Sequence, residues 1–396
     1  MVEKLNDFFL DISCKQQNYK LEPICGDTFM SRRSHNGERC MLVLSDGIGH
    51  GVKASVLSTL TASLAINNDY AYNDVSDLAR NLLKTLPVCS KRKINYSTFT
   101  IVEVNQLNGK ATIIEYDNPR CLIYRGNKSL KTISDSCVLQ ESDHKHQTIH
   151  TTTFSIREGD RIVMMTDGIT NSGQSTGRYR FGWGHDNVDE FIKQKLSENI
   201  HLTSEELADF IVGQAVDNDS QIAIDDTSCA VLTVRSPKRV LMASCLPLND
   251  ETAKVLIDDL YSFSGKRMVC GYHLAKLISG INGHGIKKYY ISEDADVPPM
   301  WEMQDIDIVS EGLVTLNKVY NILSKDNPYC IDKGPAFLII NTLLQCDEIY
   351  FLIGSKAQNE DDEYRYDEYQ MRRNVLKQIA SILENKYLKS VKLRYI

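Results

Sequence analysis

The chain has 396 residues and a formal net charge of −7, with 42% hydrophobic and 24% charged residues. This length allows two domains, because single hydrophobic cores stop growing at about 250–300 residues. The composition excludes disordered and fibrous classes. The acidic balance argues against a nucleic-acid-binding protein, which would carry a basic stripe.

The eleven cysteines lie mostly inside apolar runs and form no Cys-x-x-Cys pair. This usage is typical of reduced thiols in a cytoplasmic core rather than of a disulfide framework. Charges recur through residues 1–20 too often for a signal peptide, and no window reaches the ~18 apolar residues of a membrane span. We therefore expect a cytoplasmic protein without a membrane span.

The N-terminal half predicts strands interrupted by paired helices. Alternating apolar runs predict strands at 8–14, 24–31, 39–45, 97–104, 111–116, 121–124, 151–156, 161–166 and 227–234. Helical spacing predicts helices at 52–67, 75–86, 188–195 and 204–216. Asn36-Gly37 indicates a hairpin between the second and third strands, and 97–104, 111–116 and 121–124 are expected to form an antiparallel meander. The mixture predicts an α+β layered domain.

A change of pattern at Ser236-Pro237-Lys238-Arg239 predicts a domain boundary, with domains at residues 1–235 and 240–396. Beyond it, a strand at 240–244, a helix at 251–263, a strand at 267–270 and a helix at 274–281 begin a one-for-one alternation that continues to residue 395. This order predicts a smaller α/β domain with a largely parallel sheet.

Three turns of the second domain contain glycine after an apolar strand, at 269–271, 309–312 and 352–355. Ligands of parallel α/β sheets bind at the carboxyl ends of the strands, so these turns outline a candidate pocket. Glycine is also what strand-to-helix turns need. The domain is therefore either a sensor or a module for packing or dimerisation.

Three aspartates at wide intervals suggest chemistry in the first domain. Asp46 and Asp167 each follow a short apolar run and precede a glycine, and Asp225 lies just before the predicted strand at 227–234. Asp-Gly pairs are common turn residues when taken singly. Carboxylates gathered from separate strands repel one another unless a cation lies between them, and Mg²⁺ or Mn²⁺ accepts such oxygen ligands. The set predicts a metal-dependent enzyme.

Four ordered motifs resemble those of the SpoIIE-like branch of the PPM (type 2C) serine/threonine phosphatases. They are Cys25-Gly26-Asp27, Asp46-Gly47-Ile48-Gly49-His50-Gly51, Thr166-Asp167-Gly168 and Asp225-Asp226-Thr227-Ser228. The resemblance covers roughly residues 1–235. It implies an α-β-β-α sandwich in which two antiparallel sheets hold a binuclear Mn²⁺ or Mg²⁺ site between their edges.

The same resemblance implies the roles of the metal ligands. Asp46 bridges both ions, and the Gly47 carbonyl assists. Asp167 and Asp225 each complete the oxygen shell of one ion. A water shared by the ions would attack phosphorus in line.

Two further aspartates take supporting roles, and a family histidine is missing. Aligning Thr227-Ser228 with the family's positions favours Asp225 as the ligand and Asp226 as its support. Asp27 matches the acidic position of the family's first motif, which implies that it would hold metal-bound water. Many type 2C phosphatases place a histidine directly after the first Asp-Gly, whereas this chain has Ile48. We do not assign His50 the role of general acid.

The implied activity is hydrolysis of a phosphoserine or phosphothreonine on a partner protein, with an anti-sigma-factor antagonist as the candidate substrate. The C-terminal domain is expected to be regulatory or ligand-binding, and a homodimer is left open. Two alternatives are kept: a non-catalytic signalling scaffold whose C-terminal domain binds a ligand, and a metal-dependent hydrolase of small phosphate esters.

Overall fold

The computed structural model describes residues 8–34, 38–67, 75–85, 97–139, 147–290, 299–325, 334–355 and 363–396. The chain divides into two compact units, Met1–Ser236 and Pro237–Ile396. Within the described residues, no helix is long and apolar enough to cross a membrane.

The first unit contains eleven strands and five α-helices among its described residues. The strands are β1 Phe9–Gln17, β2 Asp27–Arg33, β3 Arg39–Gly47, β4 Ser97–Asn105, β5 Lys110–Tyr116, β6 Leu122–Arg125, β7 Lys128–Ser129, β8 Ser134–Leu139, β9 Gln147–Ser155, β10 Asp160–Met165 and β11 Thr227–Arg235. The helices are α1 Gly51–Asn67, α2 Val75–Thr85, α3 Asp167–Thr170, α4 His185–Glu198 and α5 Ser204–Asn218.

Two antiparallel sheets form the middle of this unit, one in the order β1-β11-β10-β6-β7 and the other in the order β2-β3-β4-β5-β9-β8. Residues alternate between the two faces of each strand. In β10, Ile162 and Met164 belong to the core shared by both sheets. Val163 and Met165 pack with residues of α4 and α5. Residues of α1 and α2 pack on the outer face of the second sheet, and the predicted α-β-β-α sandwich is confirmed.

The predicted meander is wrong in its third strand. Strands β4 and β5 pair as expected, but β6 pairs with β10 in the other sheet. The chain changes sheets after β5, where Asp117 adopts a left-handed backbone with a φ of 55°. Because Leu122, Ile123 and Tyr124 are all buried, the local pattern is compatible with an inner strand of either sheet.

Smaller differences concern individual strands. β2 begins at Asp27 rather than at residue 24, and β8 was not predicted. The predicted turn at Asn36-Gly37 lies outside the described residues. The strands on either side of it, β2 and β3, do pair antiparallel.

The second unit contains seven strands and five α-helices among its described residues. The strands are β12 Arg239–Ser244, β13 Lys266–Cys270, β14 Lys287–Tyr290, β15 Met300–Met303, β16 Ile306–Ser310, β17 Glu348–Ile353 and β18 Ser390–Tyr395. The helices are α6 Asp250–Ser262, α7 Tyr272–Asn282, α8 Leu313–Leu323, α9 Pro335–Gln345 and α10 Glu363–Asn385.

These strands form one sheet in the order β14-β15-β16-β13-β12-β17-β18. The five strands from β16 to β18 in that order are parallel, and β14 and β15 are antiparallel. Residues of α6 and α7 pack on one face, and residues of α8, α9 and α10 pack on the other. The predicted α/β class with a largely parallel sheet is confirmed.

The predicted one-for-one alternation is wrong at two places. Three strands, β14 to β16, follow one another, and so do the two helices α8 and α9. The hairpin of β14 and β15 extends the sheet beside β16, which would otherwise be an exposed edge. Its short strands show little hydrophobic periodicity, so the sequence pattern did not reveal them.

Candidate metal centre

Five aspartates from the adjacent ends of the two sheets converge in the first unit. The register of β2 and β3 places Asp27 directly opposite Asp46, and their carboxyl groups interact. Asp167 begins α3 directly after β10, and its carboxyl group also meets that of Asp46. Asp225 and Asp226 immediately precede β11, the neighbour of β10.

The glycine after each of two aspartates is required by close packing. A Cβ atom at Gly47 would lie 2.1 Å from the carbonyl oxygen of Ala54 in α1. A Cβ atom at Gly168 would lie 2.3 Å from the carbonyl oxygen of Asp226. Both distances are below any real contact, so only glycine lets α1 and the start of β11 approach the carboxylates.

Two hydroxyl groups join Asp27 to the opposite sheet. Its Oδ2 atom accepts hydrogen bonds from Thr166 Oγ1 at 2.9 Å and from Ser228 Oγ at 2.6 Å. The Ser228 amide donates in turn to Thr166 Oγ1 at 3.0 Å. Sequence reasoning assigned no role to Thr166 or Ser228, although both lie inside the quoted motifs, next to the aspartates.

Two carboxylate oxygens in this cluster are buried without a hydrogen-bond partner, Asp27 Oδ1 and Asp226 Oδ2. The two residues are only 4% and 2% exposed. The other oxygen of Asp226 accepts from the amide of Tyr19 at 3.0 Å. Leaving a buried carboxylate oxygen unpaired is costly, so these atoms fit contact with a cation or with water bound to one.

The pKa values of four carboxyl groups in the cluster are raised, mainly by burial. Burial is the largest cause in each case, and it raises the pKa of Asp27 to about 8 and that of Asp225 to about 6. Burial, followed by the charges of Asp27, Asp167 and Asp225, raises the pKa of Asp46 well above its usual range. Burial also raises the pKa of Asp167. A divalent cation would reverse these shifts, because it favours the ionised form.

The candidate donors are carboxylate oxygens, and Asp46 lies near Asp27, Asp167 and Asp225. In the described ranges, no group of three or more His, Cys, Asp or Glu side chains is arranged to hold one ion. Mg²⁺ keeps several waters and is usually bound through one or two carboxylates, so paired carboxylates fit a hydrated ion of this class. Asp46, which meets both Asp27 and Asp167, is the residue best placed to be shared.

His50 lies at the rim of the cluster, where two other side chains engage it. Its Nδ1 atom is 2.8 Å from Glu22 Oε1, and its ring stacks on Tyr19 with 4.3 Å between centroids. It is close enough to Asp225 to oppose the rise in that carboxyl's pKa. These contacts describe a surface histidine beside the site, and they assign it no proton transfer.

Comparison with known proteins places the chain in a family. The sequence model of the stage II sporulation protein E (SpoIIE) family matches residues 36–235, just over half of the chain. The chain belongs to the SpoIIE family. The match in this SpoIIE-family chain includes Asp46, Asp167, Asp225 and Asp226, and it begins after Asp27.

Several solved structures are similar to this SpoIIE-family chain. The phosphatase domain of SpoIIE from Bacillus subtilis is 16% identical, with a TM-score of 0.43 over 58% of this chain and 94% of that one. RsbX in complex with magnesium is 18% identical, with a TM-score of 0.39 over 57% and 95%. The S. agalactiae serine/threonine phosphatase is 14% identical, with a TM-score of 0.40 over 57% and 99%. No curated protein matches the sequence.

Proposed function

We propose that this chain is a metal-dependent protein serine/threonine phosphatase that hydrolyses a phosphoserine or phosphothreonine on a partner protein. The observation that supports this most is the convergence of Asp46, Asp167 and Asp225 beside the buried, unpartnered oxygens of Asp27 and Asp226. The first three are only partly buried, so a substrate can reach them. Membership of the SpoIIE family supports the same activity.

In this proposal the aspartates divide between direct ligands and supporting groups. Asp46, Asp167 and Asp225, with the Gly47 carbonyl, are the residues we assign to two Mn²⁺ or Mg²⁺ ions. Asp27 and Asp226 support them. Such ions supply an activated water nucleophile and offset charge on the phosphoryl oxygens.

The surrounding residues orient these carboxylates. Asn171 Nδ2 donates to Asp167 Oδ2 at 3.1 Å, and the Asp226 amide donates to Asp225 Oδ1 at 2.9 Å. Each contact fixes one oxygen of its carboxylate, so the carboxylates are held in orientation before any ion binds.

The partner and the cellular setting belong to the same proposal. The candidate substrate is a phosphorylated anti-sigma-factor antagonist in the cytoplasm, and the chain acts as a monomer or a homodimer. The second unit is proposed to be regulatory or ligand-binding, because it carries no part of the aspartate cluster.

The proposal is tested by phosphate release from a phosphoserine peptide in the presence of Mn²⁺. Release is expected from the parent chain, and both excess chelator and Asp46→Asn should reduce it to background. Asp209→Asn is the matched control, because Asp209 forms an exposed ion pair with Lys15 away from the cluster and should leave turnover unchanged.

Three outcomes would contradict the proposal in different ways. Turnover that survives both chelator and Asp46→Asn would exclude the metal mechanism. Hydrolysis of a small aryl phosphate without hydrolysis of any phosphopeptide would favour the small-ester hydrolase. Stabilisation by metabolites with no turnover of either substrate would favour the scaffold.

A further inference from the structure

We propose that the second unit binds a phosphoryl group at the carboxyl ends of β13 and β16, where Ser310, Thr315 and Arg372 meet the N-termini of α7 and α8. This site is independent of the aspartate cluster and of the proposed phosphatase activity. It uses two of the three glycine turns that the sequence predicted as a candidate pocket.

Two helix N-termini are brought together at this edge of the sheet. Gly271 and Gly312 precede α7 and α8 with φ angles of 144° and 139°, and as glycines they offer no side chain of their own to cap either helix. The amides of Gly271 and Tyr272 donate to the carbonyl oxygens of Ser310 and Glu311 at 3.0 and 2.9 Å, which fastens the two turns side by side. Both helices therefore direct the positive ends of their dipoles to one region.

A buried guanidinium lies over the same two turns. Arg372 of α10 is 7% exposed. A Cβ atom at Gly271 would lie 3.0 Å from its Nη1 atom, and one at Gly312 would lie 2.8 Å from its Nη2 atom. A negative charge near a helix N-terminus stabilises the helix, whereas a positive charge does not. The guanidinium of Arg372 therefore does not act as a helix cap here. It has the right sign for binding an anion together with the helix amides.

Two buried hydroxyls supply the observation that points to a ligand. Ser310 and Thr315 are fully buried, and Ser310 Oγ and Thr315 Oγ1 have no hydrogen-bond partner. Ser310 ends β16 opposite Cys270, whose side chain packs with residues of α8 and α10. Burial raises the pKa of the Cys270 thiol to about 11, while the Ser310 hydroxyl beside the thiol and the charge of Arg372 oppose this rise. Ser310 therefore shares the neighbourhood of the guanidinium.

These hydroxyls identify the class of ligand. An unpaired buried hydroxyl costs about 1–3 kcal/mol. The oxygens of a bound anion would accept hydrogen bonds from the hydroxyls of both Ser310 and Thr315. The donors come from β16, α8 and α10, and so from several directions. A planar carboxylate can be bound by the guanidinium fork alone, whereas a tetrahedral phosphoryl group has enough oxygens to use every donor.

One carboxylate opposes the anion and provides a control. Glu311 Oε2 accepts from the Thr315 amide at 3.4 Å, which occupies one amide of the first turn of α8. Its negative charge should weaken anion binding without preventing it. Neutralising Glu311 should therefore strengthen binding, which is opposite to the effect of removing the hydroxyls.

The third glycine turn does not contribute to this site. A Cβ atom at Gly354 would lie 2.1 Å from the carbonyl oxygen of Leu246, and the Gly354 amide donates to the Ser244 carbonyl at 2.9 Å. This glycine is explained by close packing of the chain after β17 against the end of β12.

The test measures binding of inorganic phosphate to the full chain by calorimetry. Asp46→Asn is used as the background, in chelator, so that phosphate does not bind at the aspartate cluster. Saturable binding is expected, with chloride at matched ionic strength as the blank. Ser310→Ala combined with Thr315→Val should weaken it at least about 100-fold, since each of the two lost hydrogen bonds to a charged group is worth at least about 1.5 kcal/mol and every 1.4 kcal/mol is tenfold. Glu311→Gln should tighten it.

Thr342→Val is the matched control. Thr342 is a buried hydroxyl of α9 that donates to the Leu338 carbonyl at 2.9 Å, so its loss should leave phosphate binding unchanged. Displacement of phosphate by glycerol 3-phosphate would assign the site to the end of a phosphate monoester. Failure of that displacement would assign it to free phosphate.

The proposal is overturned by any of three results. The first is absence of saturable phosphate binding in the millimolar range. The second is unchanged affinity after Ser310→Ala with Thr315→Val, especially if that variant is more stable, since the hydroxyls would then be only structural. The third is acetate binding as tightly as phosphate, which would exclude a site built for a phosphoryl group.

Discussion

Replacing Asp27 with asparagine is expected to stabilise the metal-free protein while it weakens the response to Mn²⁺. Asp27 is buried, and its Oδ1 atom has no partner. Burial is the main cause of its raised pKa, and the charges of Asp226 and Asp225 add to it. Asparagine keeps an oxygen acceptor for Thr166 and Ser228 and carries no charge.

The size of the effect follows from the proton that Asp27 must hold. Its pKa rises from 3.8 in the unfolded chain to about 8 in the fold. Near pH 7 the folded carboxyl is mostly protonated, at a cost of about 4 kcal/mol, because each pH unit above 3.8 is worth about 1.4 kcal/mol. The amide nitrogen of the asparagine would occupy the position of Oδ1, where it has no hydrogen-bond partner. This buried, unpaired donor lowers the gain in stability by about 2 kcal/mol. The net gain of about 2 kcal/mol corresponds to about 4–8 °C for a unit of this size.

Calorimetric unfolding of the full chain in chelator, followed by titration with Mn²⁺, measures both effects. Asp160→Asn is the control, and it is expected to lower the free energy of unfolding where Asp27→Asn raises it. Asp160 is also fully buried, but it accepts from Arg125 Nε at 2.7 Å, from Arg125 Nη2 at 2.9 Å and from the Arg157 amide at 2.8 Å. Neutralising it breaks a charge pair and should cost about 3 kcal/mol, with or without Mn²⁺.

Two results would refute the reasoning. Equal destabilisation by Asp27→Asn and Asp160→Asn in chelator would show that the charge of Asp27 is compensated in the metal-free fold. Equal stabilisation of the parent and of Asp27→Asn by Mn²⁺ would show that Asp27 takes no part in binding the ion.

Three further predictions concern pH, a glycine and a helix cap. In chelator, the free energy of unfolding of the parent chain should fall as pH rises from about 4 to about 8. The pKa of Asp27 is raised in the folded chain, so in this pH range the folded chain holds a proton that the unfolded chain has released. A free energy of unfolding that does not change over this range would contradict the prediction. Gly168→Ala places a Cβ 2.3 Å from the Asp226 carbonyl and should cost about 1–3 kcal/mol and remove Mn²⁺-dependent turnover; parental turnover would show that the turn relaxes. Thr203→Ala removes the capping box with Glu206 and should cost about 1 kcal/mol in urea unfolding with unchanged turnover; unchanged stability would show that water replaces the cap.

Elements with strong local signals could be predicted closely. The strand β4 and the helix α5 begin at the predicted residues and end within two residues of the predicted ends, because a buried apolar run defines the strand and the Thr203 cap sets the start of the helix. β6 was assigned to the wrong sheet, and β14 and β15 were missed. The partners of these short strands are chosen by packing rather than by their own residues.

The candidate site shows the same division. The sequence by itself determined which aspartates are candidates, since Asp46 and Asp167 precede glycines that close packing requires and Asp225 precedes a buried strand. Only the tertiary structure decided that Asp27 is tied to Ser228, 201 residues away, and which oxygens are left without partners. Burial and hydrogen bonding depend on contacts between distant segments, and these contacts decide which carboxylate oxygens are buried without a partner.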